Sequence, residues 1–270
     1  MDDLRRFLEE DIGPGDITTE IVVPKGDGVA EIICEDDAVI AGLYEAAEIF
    51  LILRLKTEPF VKDGTRVKKG TKVAVVSGPK KNILAAERTA LNFMMRMSGI
   101  ATMTNNIVTE CRKIDPDIKV AGTRKTTPGF RKYEKKAIVL GGGDPHRQGL
   151  YDRVLIKDNH IEAAGGILNA MQLAKNVPKG MKVEVEVEDV HDAVIAAENG
   201  ADIILIDNQT PSETKKIRDA IKRIDPDILV EASGRITPEN AKEYAGCADM
   251  ISLGALTHSV KAVHFSLNIL

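Results

Sequence analysis

From about Val120 onward, the chain repeats one pattern, in which a short apolar segment ends in a polar residue and is followed by a helical segment. This alternation predicts βα units, because parallel strands of one sheet need crossover connections, which are usually helices. The predicted strands are residues 118–122, 154–157, 183–187, 203–207, 228–231 and 251–254, and the predicted helices between them are 163–175, 190–199, 212–223 and 238–244.

The number of strands decides the predicted fold class. A closed α/β barrel has eight parallel strands, so these six predict an α/β fold with an incomplete barrel of six or seven strands. A doubly wound open sheet is the alternative. No G-x-G-x-x-G segment follows a predicted strand and opens a helix, which disfavours the dinucleotide-binding form of that alternative.

The first hundred residues lack this alternation and predict an α+β domain. Its predicted strands and helices are residues 29–34, 39–41, 60–61 and 72–76, and residues 44–53 and 83–97, respectively. The tail at 262–270 alternates apolar and polar residues, which is typical of a strand with one buried face. We therefore predict an N-terminal α+β domain at 1–102, onto which the tail packs back, and an α/β-barrel catalytic domain at 103–261.

Composition and charge disfavour several classes of function. The chain has no Trp, few aromatic residues and a net charge of -4, which disfavours nucleic-acid binding. Its three cysteines are widely separated and odd in number, which favours a reducing compartment over a disulfide framework. The amino terminus has no signal-like segment, and the apolar stretch at 49–55 contains Arg54 and is too short to span a bilayer. The sequence predicts a cytoplasmic protein with no membrane partner.

Chemically useful residues collect at the carboxyl ends of the predicted parallel strands. In α/β barrels these ends face one mouth, where substrates bind. In chain order the ends carry Arg124, Lys125, Lys157, Glu186, Asp207, Ser233, Gly234, Gly254 and His258. The segment 124–157 contains nine Lys or Arg and three Asp or Glu, a net charge of +6 in an acidic chain. We expect its positive potential to attract anions.

The cations of this segment fall into two groups. Those at strand ends or beside the glycine run 141–143 are predicted to bind an anionic ligand, and they are Arg124, Lys125, His146, Arg147 and Lys157. Those on a helix-like stretch are interpreted as a solvated helix face, and they are Arg131, Lys132, Lys135 and Lys136.

Carboxylates and small residues form the second half of the predicted mouth. Glu184 and Glu186 share one face of a strand, and Asp207 ends a run of apolar residues. Carboxylates inside a barrel need a cation or hydroxyl groups nearby, so we expect Mg²⁺ or a sugar there. A structural ion pair is the alternative, and it is strongest for Glu184. The turns Ser233-Gly234 and Gly254-Ala255 suit a phosphate, which backbone N–H groups can hold.

Ten segments in order along nearly the whole chain resemble the quinolinate phosphoribosyltransferases, also called nicotinate-nucleotide pyrophosphorylases. The segments are EDIGPGDIT (10–18), ERTALN (87–92), RMSGIAT (96–102), TRKTTPG (123–129), GGG (141–143) with HR (146–147) and GL (149–150), IKDNH (156–160), EVE (184–186), LIDN (205–208), EASG (231–234) and GALTHS (254–259). Two positions depart from the family pattern. Pro145 should only stiffen its loop, whereas Arg235 puts the detail of the phosphate turn in doubt.

The resemblance implies a Mg²⁺-dependent transfer from phosphoribosyl pyrophosphate to quinolinate, which gives nicotinate mononucleotide, pyrophosphate and CO₂ in NAD biosynthesis. It implies a homodimer in which the first domain of one subunit covers the barrel mouth of the other, and the assembly beyond a dimer is left open. It places quinolinate among Arg96 of the partner subunit, Arg124, Lys125, His146, Arg147 and Lys157. It places phosphoribosyl pyrophosphate and the metal near Glu186 and Asp207, with Ser233, Gly234, Gly254 and His258 around the phosphate. Catalysis is assigned to Lys125, Lys157, Glu186 and Asp207.

Other functions compete with this interpretation. A nicotinate-specific salvage transferase would use the same phosphoribosyl half but would need fewer cations, so the crowding between 124 and 157 favours a dicarboxylate. A relative associated with molybdate metabolism could share the fold with an altered pocket. A carrier or binding protein without catalysis would not need Glu186, Asp207 and two phosphate turns at one mouth.

Overall fold

The computed structural model describes residues 2–270 of the chain. The chain divides into two compact units. One runs to Met103 and includes Val139–Gly141 and Val260–Leu270, and the other consists of Thr104–Ile138 and Gly142–Ser259. No helix among residues 2–270 combines the length and apolar character that a bilayer crossing requires.

The first half of the chain begins with a mixture of helices and antiparallel strands. In order they are α1 (Asp2–Ile12), α2 (Ile17–Val22), β1 (Asp27–Cys34), β2 (Ala38–Val39), α3 (Leu43–Ile52), β3 (Lys56–Pro59), β4 (Arg66–Val67), β5 (Thr71–Pro79) and α4 (Lys80–Arg112). The remaining elements are β6 (Lys119–Ala121), α5 (Arg131–Leu140), β7 (Val154–Ile156), α6 (Asp158–Ala164), α7 (Ile167–Ala174), β8 (Val183–Val187), α8 (Val190–Glu198), β9 (Ile203–Asp207), α9 (Pro211–Ile224), β10 (Leu229–Ser233), a 3₁₀ helix (Ala241–Tyr244), β11 (Met250–Ser252), α10 (Ala255–His258) and β12 (Phe265–Ile269).

The first unit is built on a four-stranded sheet in the order β12-β1-β5-β3. The carboxyl-terminal strand β12 pairs antiparallel with β1, so the tail does return to this unit as a strand. The inward residues of β1, Ala30, Ile32 and Cys34, are fully buried, as the alternation of a one-sided strand requires.

Three elements of this unit, α1, α2 and β4, were not predicted, and two predicted elements differ in position or length. The strand expected at 60–61 lies at Lys56–Pro59, where it pairs with β5. It is a largely exposed edge strand with polar residues and therefore has no apolar signal. The helix predicted at 83–97 extends through Gly99 to Arg112. A side chain at Gly99 would lie 2.4 Å from the Lys261 carbonyl oxygen, so the glycine allows a close backbone approach there.

The second unit contains a six-stranded parallel sheet in the order β6-β11-β10-β9-β8-β7. Strands β7 to β11 follow one another without reversal, and β6 completes the sheet beside β11. A doubly wound sheet would reverse its order at a switch point. The sheet is therefore the incomplete, singly wound barrel of six strands, and the predicted fold class is confirmed.

The predicted strands of this unit agree with the structure better than the predicted helices do. Strand β9 is buried along Ile203–Ile206, which matches its uninterrupted apolar run. The single helix predicted at 163–175 is two helices, because Gly165 and Gly166 adopt positive φ angles of 77° and 121° between them. The helix predicted at 238–244 is only a 3₁₀ turn.

Candidate active site

A cavity of 480 Å³ opens at the carboxyl ends of the parallel strands in the second unit. Its walls come from residues near the carboxyl ends of all six strands, together with His146 and Arg147 from the loop after α5. The structure brings together in this cavity nine of the residues singled out from the sequence: Arg124, Lys125, His146, Arg147, Lys157, Glu186, Asp207, Ser233 and Gly234.

Two guanidinium groups form the cationic part of the wall. Arg124 follows β6, and its Nε is buried without a hydrogen-bond partner in the part of the chain that the structure describes. Arg147 is buried, and burial together with the charge of Arg124 lowers the pKa of its guanidinium. An unsatisfied buried donor and two mutually repelling cations are costly. An anion bound between them would relieve both costs.

Lys157 and Glu186 form an ion pair across the ends of β7 and β8. The Glu186 side chain is mostly buried, whereas the Lys157 side chain is 40% exposed. The backbone N–H of Lys157 donates to His160 Nδ1 at 2.9 Å at the start of α6. The ammonium group is therefore held at the cavity wall, where it can contact both Glu186 and a ligand.

Another part of the wall is formed by the segments that follow β9 and β10, which contact each other. Asp207 and Ser233 are paired at the ends of these strands. The Asn208 backbone N–H donates to the Ser233 carbonyl oxygen at 2.9 Å, and its side-chain amide donates to Asp207 Oδ2 at 2.5 Å. Gly234 has a φ of +78°, and a Cβ there would lie 2.3 Å from Asn208 Oδ1. Only glycine fits at this position.

A buried charged cluster lies behind the cationic wall. His146 Nε2 is 3.1 Å from Glu231 Oε2 and 3.4 Å from Glu184 Oε1. Arg153 Nη1 donates to Glu184 Oε2 at 3.2 Å. Burial alone would lower the pKa of His146, but hydrogen bonds and charge from Glu184 and Glu231 outweigh it and raise the pKa to about 9. The two carboxylates therefore favour the charged form of His146. Glu184 belongs to this ion-pair network, which is the structural role given as its alternative in the sequence analysis.

Three predicted site residues lie outside the cavity wall. Gly254 and His258 do not line it, although a Cβ at Gly254 would be 3.0 Å from Lys125 Cδ and 2.9 Å from the His258 ring. Gly254 therefore lies directly behind Lys125. Arg96 lies half-buried on α4 in the first unit. Its contribution to the site of a partner subunit stays a prediction.

The expectation of a solvated face on α5 is wrong for Lys135. Lys135 is buried, and its ammonium group donates to the carbonyl oxygen of Pro145. Burial lowers its pKa to about 8. Arg131 donates to Thr126 Oγ1 at 2.9 Å and to the Gln148 carbonyl oxygen at 3.1 Å. The loops before and after α5 thus pack on the helix and cover cations that its sequence alone would leave in water.

Several residues that line the cavity were not predicted from the sequence. They are Gly122, Thr123, Leu205, Asn208, Glu231 and Ser252. A signal existed for Glu231, since it is two residues before Ser233 and period-two alternation places both on one face of β10. Arg235 has a positive φ of 55° and lines the same cavity. Arg235 therefore belongs to the turn after β10, the turn in which the sequence departs from the family pattern.

The fold and the cavity define an α/β-barrel enzyme that acts on anionic substrates. Residues 100–268 match the C-terminal domain of quinolinate phosphoribosyl transferase, and residues 16–98 match its N-terminal domain. The chain belongs to the quinolinate phosphoribosyl transferase family.

Relatives and solved structures agree along almost the whole chain. A probable nicotinate-nucleotide pyrophosphorylase [carboxylating] from Archaeoglobus fulgidus is 43% identical and covers 95% of this chain and 98% of its own length. The nicotinate-nucleotide pyrophosphorylase [carboxylating] of Homo sapiens is 39% identical over 97% of this chain and 89% of its own. The structure of the nicotinate-nucleotide pyrophosphorylase from Francisella tularensis superposes with a TM-score of 0.92 at 35% identity and covers 99% of this chain and 94% of that one.

Proposed function

We propose that the protein transfers a phosphoribosyl group from phosphoribosyl pyrophosphate to quinolinate and releases pyrophosphate, CO₂ and nicotinate mononucleotide. The name "carboxylating" of its relatives describes the same reaction in reverse. The observation that carries the proposal is that one cavity is lined both by a pair of guanidinium groups, Arg124 and Arg147, and by carboxylates beside the Ser233-Gly234 turn. The two sets of residues suit a dicarboxylic acid and a ribose phosphate, respectively.

The cationic wall supplies recognition of the acid. Guanidinium groups bind carboxylates through paired, charge-assisted hydrogen bonds. Arg124 carries a buried, unpartnered Nε, and Arg147 is buried beside it. The charged His146 adds a third cation. A ligand with two carboxylates offsets this charge better than a ligand with one.

The carboxylates and the Ser233-Gly234 turn supply recognition of the ribose and its phosphates. Glu186 and Asp207 can accept hydrogen bonds from ribose hydroxyls near the anomeric carbon. The turn formed by Ser233, Gly234 and Arg235 can donate backbone and guanidinium hydrogen bonds to phosphate. Positive charge that develops on the ribose as pyrophosphate departs is stabilised by the nearby carboxylates.

The reaction then needs little further chemistry from side chains. The pyridine nitrogen forms a bond to the anomeric carbon as the bond to pyrophosphate breaks. The alkylated ring is cationic, so the carboxylate beside the nitrogen can leave as CO₂ and its electron pair remains on the ring carbon as an ylide, which takes up a proton. Lys125 and Lys157 are proposed to stabilise the charge that develops during transfer.

We include Mg²⁺ in the proposal because the donor set suits it. Mg²⁺ is commonly held by one or two carboxylates together with substrate phosphates and water. Glu186 and Asp207 line the cavity as such a pair. When bound, the ion would neutralise charge on the departing pyrophosphate.

A homodimer in the cytoplasm completes the proposal. The family resemblance supports a partner subunit that brings Arg96 to the cationic wall. Asn92 and Arg88, about one and two turns before Arg96 on the same face of α4, are exposed. The cysteines Cys34, Cys111 and Cys247 are free thiols, as is usual in a reducing compartment.

Competition between quinolinate and nicotinate tests the assignment of the acid. The purified protein, with phosphoribosyl pyrophosphate and Mg²⁺, should form nicotinate mononucleotide from quinolinate with kcat/KM at least about 100-fold above that for nicotinate, because an unpaired cation is costly to bury. Mononucleotide and released CO₂ are quantified for each acid. Comparable efficiencies for the two acids would contradict the assignment of quinolinate and would favour a nicotinate salvage transferase.

A further inference from the structure

Two carboxylates are buried beside a cavity that binds anions, and this arrangement requires a physical reason. Glu184 on β8 is 0% exposed, and Glu231 on β10 is 1% exposed. Unpaired, both would repel an anionic ligand and would be costly to desolvate. Neither is one of the carboxylates assigned above to the ribose.

Their partners leave one negative charge to be balanced. Arg153 donates to Glu184, and Ser252 hydrogen-bonds to Glu231 without adding charge. The remaining group is His146, whose Nε2 lies within 3.4 Å of both carboxylates. Two carboxylates, one guanidinium and one imidazolium sum to zero. Burial raises the pKa of Glu231 and so draws the same proton toward that carboxyl, but Nε2 of His146 faces both carboxylates, and a proton there makes the cluster neutral while it contacts both. The same carboxylates raise the pKa of His146 to about 9.

A metal ion is the other cation that these three donors could hold. Nε2 of His146 and one oxygen each from Glu184 and Glu231 lie within 4.8 Å of one another. Arg153 Nη1, however, is 3.3 Å from the same Nε2, so a divalent ion there would meet a guanidinium at close range. With two carboxylates and one guanidinium, a divalent ion would leave the cluster with a net charge of +1. A proton on His146 brings the sum to zero and places only one charge beside Arg153, so the geometry favours the proton.

Hydrogen bonds hold the backbone at His146 in a conformation that places its side chain in this cluster. His146 has a φ of +54°, in the left-handed region that non-glycine residues rarely adopt. Its N–H donates to Asp144 Oδ1 at 2.6 Å, and Lys135 donates to the carbonyl oxygen of the preceding Pro145. Such strain persists where the surroundings determine the conformation.

We propose that Glu231, together with Glu184, is a positioning residue that orients His146 and keeps it as an imidazolium in the cavity wall. With Nε2 engaged by the carboxylates, the N–H on Nδ1 is the one left to donate to a carboxylate of the bound acid. The inference rests on the proposed function. It adds that the affinity for the acid depends on buried residues behind the wall.

Titration calorimetry on Glu231→Gln, which keeps the side-chain shape, tests the effect on binding. Glu188→Gln, an exposed glutamate just after β8, is the matched control. At pH 8 we expect Kd for quinolinate to rise about tenfold or more in Glu231→Gln. Without the Glu231 charge the pKa of His146 falls, so at pH 8 most of the His146 imidazole is neutral and no longer attracts the acid. Kd for phosphoribosyl pyrophosphate should stay within about twofold, and the control should match the wild type in both. Equal loss of affinity for both substrates, or for neither, would overturn the positioning role.

The charge of His146 can be read directly from ¹H–¹⁵N NMR of the imidazole rings. The chain has five histidines, so His146→Gln assigns the signal. In the wild type the ring should titrate at about 9, and in Glu231→Gln about two units lower or more, as a tenfold rise in Kd at pH 8 requires. A wild-type ring that titrates near its ordinary value of about 6.5 would refute the proposal. The wild-type titration decides this even if the variant does not fold or if the protein binds no quinolinate, an outcome that would refute only the proposed reaction.

Discussion

Replacing Lys157 with alanine should lower kcat/KM for quinolinate by a factor of about 30 to 1000, equivalent to about 2 to 4 kcal/mol of transition-state stabilisation. The ammonium group lies at the cavity wall and forms an ion pair with Glu186. Its loss removes a charge that faces the substrates and leaves Glu186 without its cation. The effect should fall mainly on kcat if the lysine meets charge that develops in the transition state.

Lys182→Ala is the matched control for this prediction. Lys182 forms a 2.6 Å ion pair with Asp202 but lies just before β8, at the opposite end of the strand from Glu186, and its side chain is 64% exposed. Removal of this pair should change activity by less than about twofold, since exposed ion pairs contribute little. Lys125→Ala should fall in the same range as Lys157→Ala. A folded Lys157→Ala enzyme with near-normal turnover would place that lysine on a solvated rim.

The second large effect is expected for Arg96, through the partner subunit. Homodimers of Arg96→Ala and of Lys157→Ala should each be nearly inactive, yet mixing them under subunit exchange should restore activity. In a mixed dimer one site receives both defects, and the other keeps an intact lysine and an intact arginine from its partner. Random exchange gives about half mixed dimers, so the ceiling is about a quarter of wild-type sites in a closed two-fold dimer.

Subunit exchange must itself be demonstrated, for example by native mass spectrometry of differently tagged chains. Arg88→Ala serves as the control, because Arg88 lies two turns earlier on the same face of α4 and is exposed. It should leave activity close to that of the wild type. Proven exchange without recovered activity would rule out the shared site and return Arg96 to a role within its own subunit.

Residues at strand ends were the most predictable part of the site. Lys157 and Asp207 stand at the ends of apolar runs, and Glu186 lies near the end of an alternating strand. Parallel strands bring these ends to one edge. Strand period, burial and chain order are local properties. The order from β7 to β11 follows from the same reasoning once a crossover connection is assigned between neighbours, but the pairing of β6 with β11 does not.

The buried cluster could not be predicted in the same way. The pairing of His146 with Glu231 joins residues 85 positions apart and depends on the conformation of the loop after α5. Lys135 illustrates the same limit, because its burial comes from a loop contact with Pro145 and not from the helical period. A sequence pattern identifies which residues share a face, but it does not indicate which distant segment covers that face.

The position of β6 in the sheet has a consequence for the order of folding. Within the sheet β6 pairs only with β11, so Lys119 meets Met250 across almost half of the chain. Such long-range pairing is slow, because the closure entropy of the loop must be overcome before the contact stabilises it. Arg124 and Lys125 follow β6 directly and therefore reach the cavity only when the last parallel strand has docked. During refolding, the capacity to bind quinolinate should recover later than the backbone circular dichroism, and simultaneous recovery would show that β6 docks early.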